Sequence, residues 1–180
     1  ISKKTFSLHI KNENFKVKSI IEMLLNGKNV ALVSDAGTPC ISDPGYLLVN
    51  EARKNNINVY PIPGATSPIA ALSVSGLPSE RFFFEGFLPK KKGRNKRIES
   101  LSKLDVSIVI FEAPYRLIKT LGDIYGIMGN RQISICKEIS KINEQNYFGN
   151  IEDVILEMKN ISKIKGEYVI IIAKEGYYEK

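Results

Sequence analysis

The chain has 180 residues, 43% hydrophobic and 25% charged, with a formal net charge of +7 from 26 Lys+Arg against 19 Asp+Glu. That supports a real core in one large domain or two small ones. Cys40 and Cys136 stand far apart with no CxxC partner or nearby histidine, which excludes a cysteine-based zinc site and a disulfide framework and fits a reducing cytoplasm; the longest apolar run, 169–173, is strand-sized and cannot span a membrane.

Phe15, Ile20, Ile21, Leu24 and Leu25 recur at helical spacing up to Gly27, a C′ stop. A strand is expected over Asn29–Val33. It runs into a loop, 34–45, dense in glycine, proline, aspartate and hydroxyl residues, where Gly37 and Gly45 allow close backbone approach to a small molecule. Asp43-Pro44 reads as an N-cap and first helical residue for a helix through Leu47, Leu48 and Ala52. Ile57–Ile62 is a second expected strand, followed by the loop Pro63-Gly64-Ala65-Thr66-Ser67-Pro68 and a helix Ile69–Val74, with Ser67 as its N-cap. Gly76-Leu77-Pro78 ends this half.

Phe82–Phe87 reads as a strand. Lys90, Lys91, Lys92, Arg94, Lys96 and Arg97 then place six positive charges in one short segment and leave the rest of the chain near neutral. A helix follows around Ile98–Leu104, a buried strand over Val106–Phe111, and a helix opened by Ala113-Pro114 through Leu117, Leu121 and Ile124. Arg131–Ile139 is a strand, Asn146–Gly149 a short strand or bend, Ile151–Met158 a helix and Glu167–Ala173 a final strand. This alternation predicts an α/β protein with mainly parallel sheets. A joint near Pro78–Arg81 divides it into domains 1–78 and 79–180, with a ligand cleft between them.

No GxGxxG follows a strand, and no P-loop, HExxH or GxSxG is present. His9 is the one histidine, and a lone histidine is more often packed or solvated than catalytic. The two Gly-Pro loops end consecutive expected strands, where open α/β sheets bind ligands. The hydroxyls of Thr38, Thr66 and Ser67 suit a ribose or a carboxylate, though Thr66 and Ser67 also serve as plain caps. The basic run reads as a nucleic-acid-binding segment, with a solvated loop as the bland alternative. Glu112 and Arg116, and the pair Lys137-Glu138, also end strands; Glu112 and Arg116 equally suit a structural ion pair.

Ser34-Asp35-Ala36-Gly37-Thr38-Pro39, Ile41-Ser42-Asp43-Pro44-Gly45, Pro61-Ile62-Pro63-Gly64-Ala65, Gly76-Leu77-Pro78, Phe84–Pro89 with its basic tail, Glu112-Ala113-Pro114-Tyr115-Arg116, Lys137-Glu138 and Lys165-Gly166-Glu167 stand in an order that closely resembles the ribosomal RNA small subunit methyltransferase I family. That family is a branch of the tetrapyrrole methylases. The resemblance implies two α/β domains with S-adenosylmethionine in the cleft. It also implies a homodimer and methyl transfer to the 2′-hydroxyl of a cytidine in 16S ribosomal RNA. By position, Gly37, Thr38, Ile41, Thr66, Ser67, Ala113, Lys137 and Glu167 would touch the cofactor. Asp35, Asp43, Glu112 and Lys137 are candidates for a catalytic base or stabilising cation, and no metal is implied. Gly37-Thr38-Pro39 stands where corrin methylases carry Gly-Asp-Pro, which favours the RNA branch. The family's first strand and its C-terminal extension are not matched, so a fragment or a degraded copy is expected. The alternatives are a corrin or precorrin C-methylase and a non-catalytic RNA-binding relic.

Overall fold

Helix α1 (Glu13–Leu25) and helix α2 (Tyr46–Lys54) pack against each other in the computed structural model, which describes residues 5–177. They belong to the first of two compact units, residues 1–66, and the second unit spans 67–180. Val17, Ile20 and Ile21 of α1 meet Leu48 and Ala52 of α2, so the i, i+3, i+4 spacing makes one buried stripe on each helix. Gly27 takes φ +77° just past α1 and its N–H bonds the Leu24 carbonyl, as the C′ role requires.

Two expectations for this unit fail. Asn29–Val33 and Ile57–Ile62 form no ladder among the described residues. A strand exists only through a hydrogen-bonded neighbour, and neither stretch meets one. Val33, Tyr60 and Ile62 accordingly stay 80%, 76% and 87% exposed. Helix α2 also starts later than Asp43-Pro44 implies, with Gly45 at its N-cap. The cap comes from elsewhere: Glu13 Oε1 accepts from the Gly45 and Leu47 N–H groups at 3.0 and 3.1 Å. A buried carboxylate from α1 thus satisfies the helix end and its dipole.

The second unit opens with helix α3 (Ser67–Val74). Then come β1 (Phe82–Phe87), α4 (Arg94–Ser102), β2 (Ser107–Glu112), a 3-10 turn (Pro114–Arg116) and α5 (Leu117–Met128). Next are β3 (Gln132–Lys137), β4 (Gln145–Asn150), α6 (Ile151–Lys159) and β5 (Tyr168–Ile172). The sheet order is β1-β2-β5-β3-β4. It is mixed rather than mainly parallel. Only β1 and β2 pair in parallel, across the helical connection that such a pair needs. β5 lies between β2 and β3, antiparallel to both, and β4 folds back on β3. Alternating helices and strands cannot reveal an inserted last strand.

Both sheet faces are covered, which explains the near-continuous apolar strands. Ile108, Ile110, Ile133, Ile135, Ile170 and Ile172 face a core with Ile98, Leu121, Ile151 and Met158. Val109, Val169 and Ile171 face Ala71 and Leu72 of α3 on the other side. The small residues of α3 let that helix lie close.

Candidate functional site

In the first unit the two Gly-Pro corners meet. Thr38 Oγ1 donates to the Ala65 carbonyl at 3.1 Å. The Ser34 hydroxyl lies 2.9 Å from the Gly37 carbonyl and 3.2 Å from that of Ala36, which pins the first corner. Gly37 has φ +77°, a conformation in which L side chains are strained. A Cβ there would stand 3.6 Å from the Ala65 oxygen, in the gap between the corners. At Gly45, with φ +130°, a Cβ would strain the backbone and fall 2.5 Å from Leu32 Cδ2 and 2.8 Å from Cys40 Sγ, so those side chains would have to shift. Thr38 and Thr66 are half-buried, while Asp35, Ile41 and Asp43 are exposed around the corners. Burial, then the charges of Glu13 and Asp43, push the Cys40 thiol up, so it is not an activated thiolate. His9 is exposed, and its backbone serves the turn before α1.

In the second unit, strand register gathers Ala113, Lys137 and Glu167 at one sheet edge. Tyr168 pairs with Glu112 on one side and with Lys137 on the other, so Ala113 and Glu167 flank the same row. Lys137 Nζ donates to Gln145 Oε1 at 2.9 Å. The Glu138 N–H bonds the Glu167 carbonyl at 2.9 Å, and the Glu167 N–H bonds Glu138 Oε1 at 2.9 Å. Lys141 bridges both carboxylates, at 3.0 and 2.9 Å. Hydrogen bonds from Glu167 N–H and from Lys141 hold the Glu138 carboxyl below its ordinary range. A Cβ at Gly166 would stand 2.7 Å from Glu138 Cγ, so Gly166 permits this closure.

Glu112 is the anchor of the same edge. Its side chain has no exposed surface. It accepts from the Ala113 N–H at 2.7 Å, from Arg116 at 2.6 Å and from the Thr120 hydroxyl, with Arg94 at 3.9 Å. With three hydrogen bonds to it and Arg94 nearby, this carboxylate orients its neighbours. Arg94 also binds Thr120 at 2.7 Å, Asp123 at 2.8 Å and the Pro89 carbonyl at 3.1 Å. Arg116 reaches the Leu88 carbonyl at 3.5 Å.

The basic run therefore divides. Lys90, Lys91, Lys92 and Lys96 are exposed. Arg94 is buried in the network just described. Arg97 makes a two-point pair with Glu85, one arm at 2.7 Å, and lies 5.6 Å over the Phe83 ring. The β1 bulge at Phe84/Gly86, with Gly86 at φ +72°, belongs to the same strand segment as Glu85. Sequence reading missed Glu13 as the α2 cap and Thr120 and Asp123 as partners of Arg94. The first lies 32 residues from its target and the others 26 and 29, a separation that no local pattern signals. Among the described residues, no three His, Cys, Asp or Glu side chains cluster to hold a metal. No described helix is long and apolar enough to cross a membrane.

Residues 2–155 match the family of tetrapyrrole (corrin/porphyrin) methylases. A protein of Halalkalibacterium halodurans named ribosomal RNA small subunit methyltransferase I is 43% identical over 98% of this chain and 61% of its own length. One of the same name from Thermotoga maritima is 40% identical over 96% of this chain and 78% of its own length. The chain thus spans about three-fifths of the first relative's length. Among solved structures, diphthine synthase superposes with a TM-score of 0.74 at 16% identity, covering 98% of this chain and 71% of that one. A uroporphyrin-III C-methyl transfer enzyme from Thermus thermophilus, complexed with S-adenyl homocysteine, gives 0.56 at 16%, covering 88% and 73%. These likenesses establish the fold. The chain belongs to the tetrapyrrole methylase family, and within it to the ribosomal RNA small subunit methyltransferase I family.

Proposed function

We propose that this family member is an S-adenosylmethionine-dependent methyltransferase acting on the 2′-hydroxyl of a cytidine in 16S ribosomal RNA, in the cytoplasm and as a homodimer. The observation that carries the reading is the near full-chain match to proteins named for methyl transfer to small-subunit ribosomal RNA. The exposed lysines after β1 support a polyanionic substrate.

The residues present fit the cofactor. The gap beside Gly37 is space that a Cβ would enter, and the Thr38 hydroxyl and the Ala65 carbonyl line it. In this reading Gly37, Thr38, Ile41 and Thr66 are the first unit's candidate cofactor residues, and Ser67, Ala113, Lys137 and Glu167 the second unit's. When bound, S-adenosylmethionine supplies a methyl group on a sulfonium whose positive charge disappears as the sulfur–carbon bond breaks.

The protein's task is alignment, worth on the order of 7 kcal/mol or more in well-oriented cases. The Ser34 and Thr38 hydroxyls fix the corner backbone. Glu112 fixes the Ala113 backbone through its N–H. Lys137, held by Gln145 at the edge, offers a cation to an oxygen that is losing its proton. Asp35 and Asp43, both exposed, remain the carboxylates able to accept that proton.

The test incubates the chain with S-adenosylmethionine labelled in its methyl group and small ribosomal subunits that lack the modification. The expected product is an alkali-resistant dinucleotide containing 2′-O-methylcytidine. Label on a base instead would overturn the 2′-hydroxyl. Calorimetric binding of the cofactor without any transfer would make the chain a non-catalytic relic.

A further inference from the structure

We infer that the exposed ring of Tyr115 is a stacking platform for one unpaired base of the RNA, beside the lysines of the loop after β1. The inference rests on the RNA reading above and narrows the substrate to a segment that is single-stranded where it meets the protein.

Tyr115 is 78% exposed although it sits in a 3-10 turn between the buried Glu112 and Leu117. Its neighbour Arg116 places its guanidinium 6.0 Å from the ring centroid. Arg116 is in turn held by the buried carboxylate of Glu112. The ring is therefore carried on a fixed backbone and faces solvent, where burying it against protein would be the ordinary outcome for an aromatic side chain.

The same buried network also fixes the lysine loop. β1 and β2 run parallel, so their C-terminal ends lie at one edge and the segments leaving them are neighbours. Arg116 bonds the Leu88 carbonyl at 3.5 Å, and Arg94 bonds that of Pro89 at 3.1 Å. Lys90, Lys91 and Lys92 follow directly and are exposed. One cluster of charges thus holds both the start of the loop that carries three exposed lysines and the turn that carries the exposed ring.

That pairing has a specific chemistry. Cationic side chains neutralise the backbone of any nucleic acid, but an aromatic platform is used only when a base is unstacked. Bases inside a duplex are already stacked and offer the ring nothing. Stacking on one ring is worth roughly tenfold or more in affinity and tolerates any base identity.

The test titrates the full chain against a short RNA containing one 2-aminopurine, single-stranded or annealed to its complement. The chain has no tryptophan, which leaves the probe's emission unobscured. Single-stranded RNA is expected to bind with quenching of the probe. Tyr115→Ala should weaken that binding about tenfold and abolish the quenching, and Tyr115→Phe should keep both. Duplex affinity and the salt dependence should not change. Wild-type affinity and quenching in Tyr115→Ala would overturn the platform while leaving the RNA reading intact. Equal losses in Tyr115→Phe would also overturn it, because the ring would not be the binding group. Failure of the unaltered chain to bind either RNA would remove the RNA reading itself.

Discussion

Gly37 is held at φ +77° while its corner leans on Ala65 through the Thr38 hydroxyl. Any side chain there costs about 1–2 kcal/mol in backbone strain. Gly37→Ala adds only an ordinary 3.6 Å contact, so it should lower stability by that amount alone. Gly37→Val also fills the gap between the corners. It should weaken S-adenosylmethionine binding at least tenfold by calorimetry, and equal cofactor affinity in the two variants would show that the gap is not the binding space. Glu112 poses the opposite case, a charge whose value lies in what it holds. Removing it in Glu112→Ala strands Arg116, while Arg94 keeps Asp123, and breaking such a buried pair costs about 3–5 kcal/mol. Chemical denaturation should show this loss. A Glu112→Ala protein of native stability would instead show that these ion pairs contribute nothing net to the fold.

Strands and helices of the second unit were legible in sequence because each carries its own period. Phe82–Phe87, Ile151–Met158 and the all-apolar Val169–Ile172 announce themselves. The pairing partners were not legible, since β5 enters between β2 and β3 from the far end of the sequence. The same limit explains the first unit: Asn29–Val33 and Ile57–Ile62 have strand-like composition, yet a ladder depends on a neighbour that composition does not specify. Turn chemistry and motif order single out the corners and the sheet-edge residues, whereas the Arg94 network is hidden by its sequence separation. β2 is the element on which both faces of the core depend, and Ile110 on it is fully buried. Ile110→Ala should cost about 2–5 kcal/mol in denaturation. The α4–α5 contact adds a pH dependence. Burial pushes the Asp123 carboxyl up, but hydrogen bonds from Arg94 and Lys119 outweigh it and hold it below its ordinary value of 3.8. Folded protein therefore binds that proton less readily than unfolded chain. The resulting stabilisation is complete above the ordinary value and is lost as pH falls through the folded one. Asp123→Asn should be less stable near neutrality, and its stability should fall less on acidification. A parallel acid profile in the two proteins would exclude Asp123 as a source.

Across the whole molecule, the charge of +7 is concentrated rather than diffuse, and the structure sorts the concentrated part by its bonds. Arg94 and Arg97 spend their charge on Glu112, Asp123 and Glu85. Lys90, Lys91, Lys92 and Lys96 are exposed, so they are the positions from which this segment can release counterions from a nucleic acid. Replacing all four by alanine should leave the fold and the cofactor affinity unchanged, because none of the four lines a core. It should weaken RNA binding steeply at low salt. Each phosphate contact to a single strand contributes about 0.7 to the slope of log affinity against log salt, so the slope should drop by about 3. Mutating Arg94 instead should unfold or loosen the second unit before it touches that slope. If the four-lysine variant kept the original slope, the phosphate contacts would have to lie elsewhere on the chain, and the segment after β1 would be only a solvated turn.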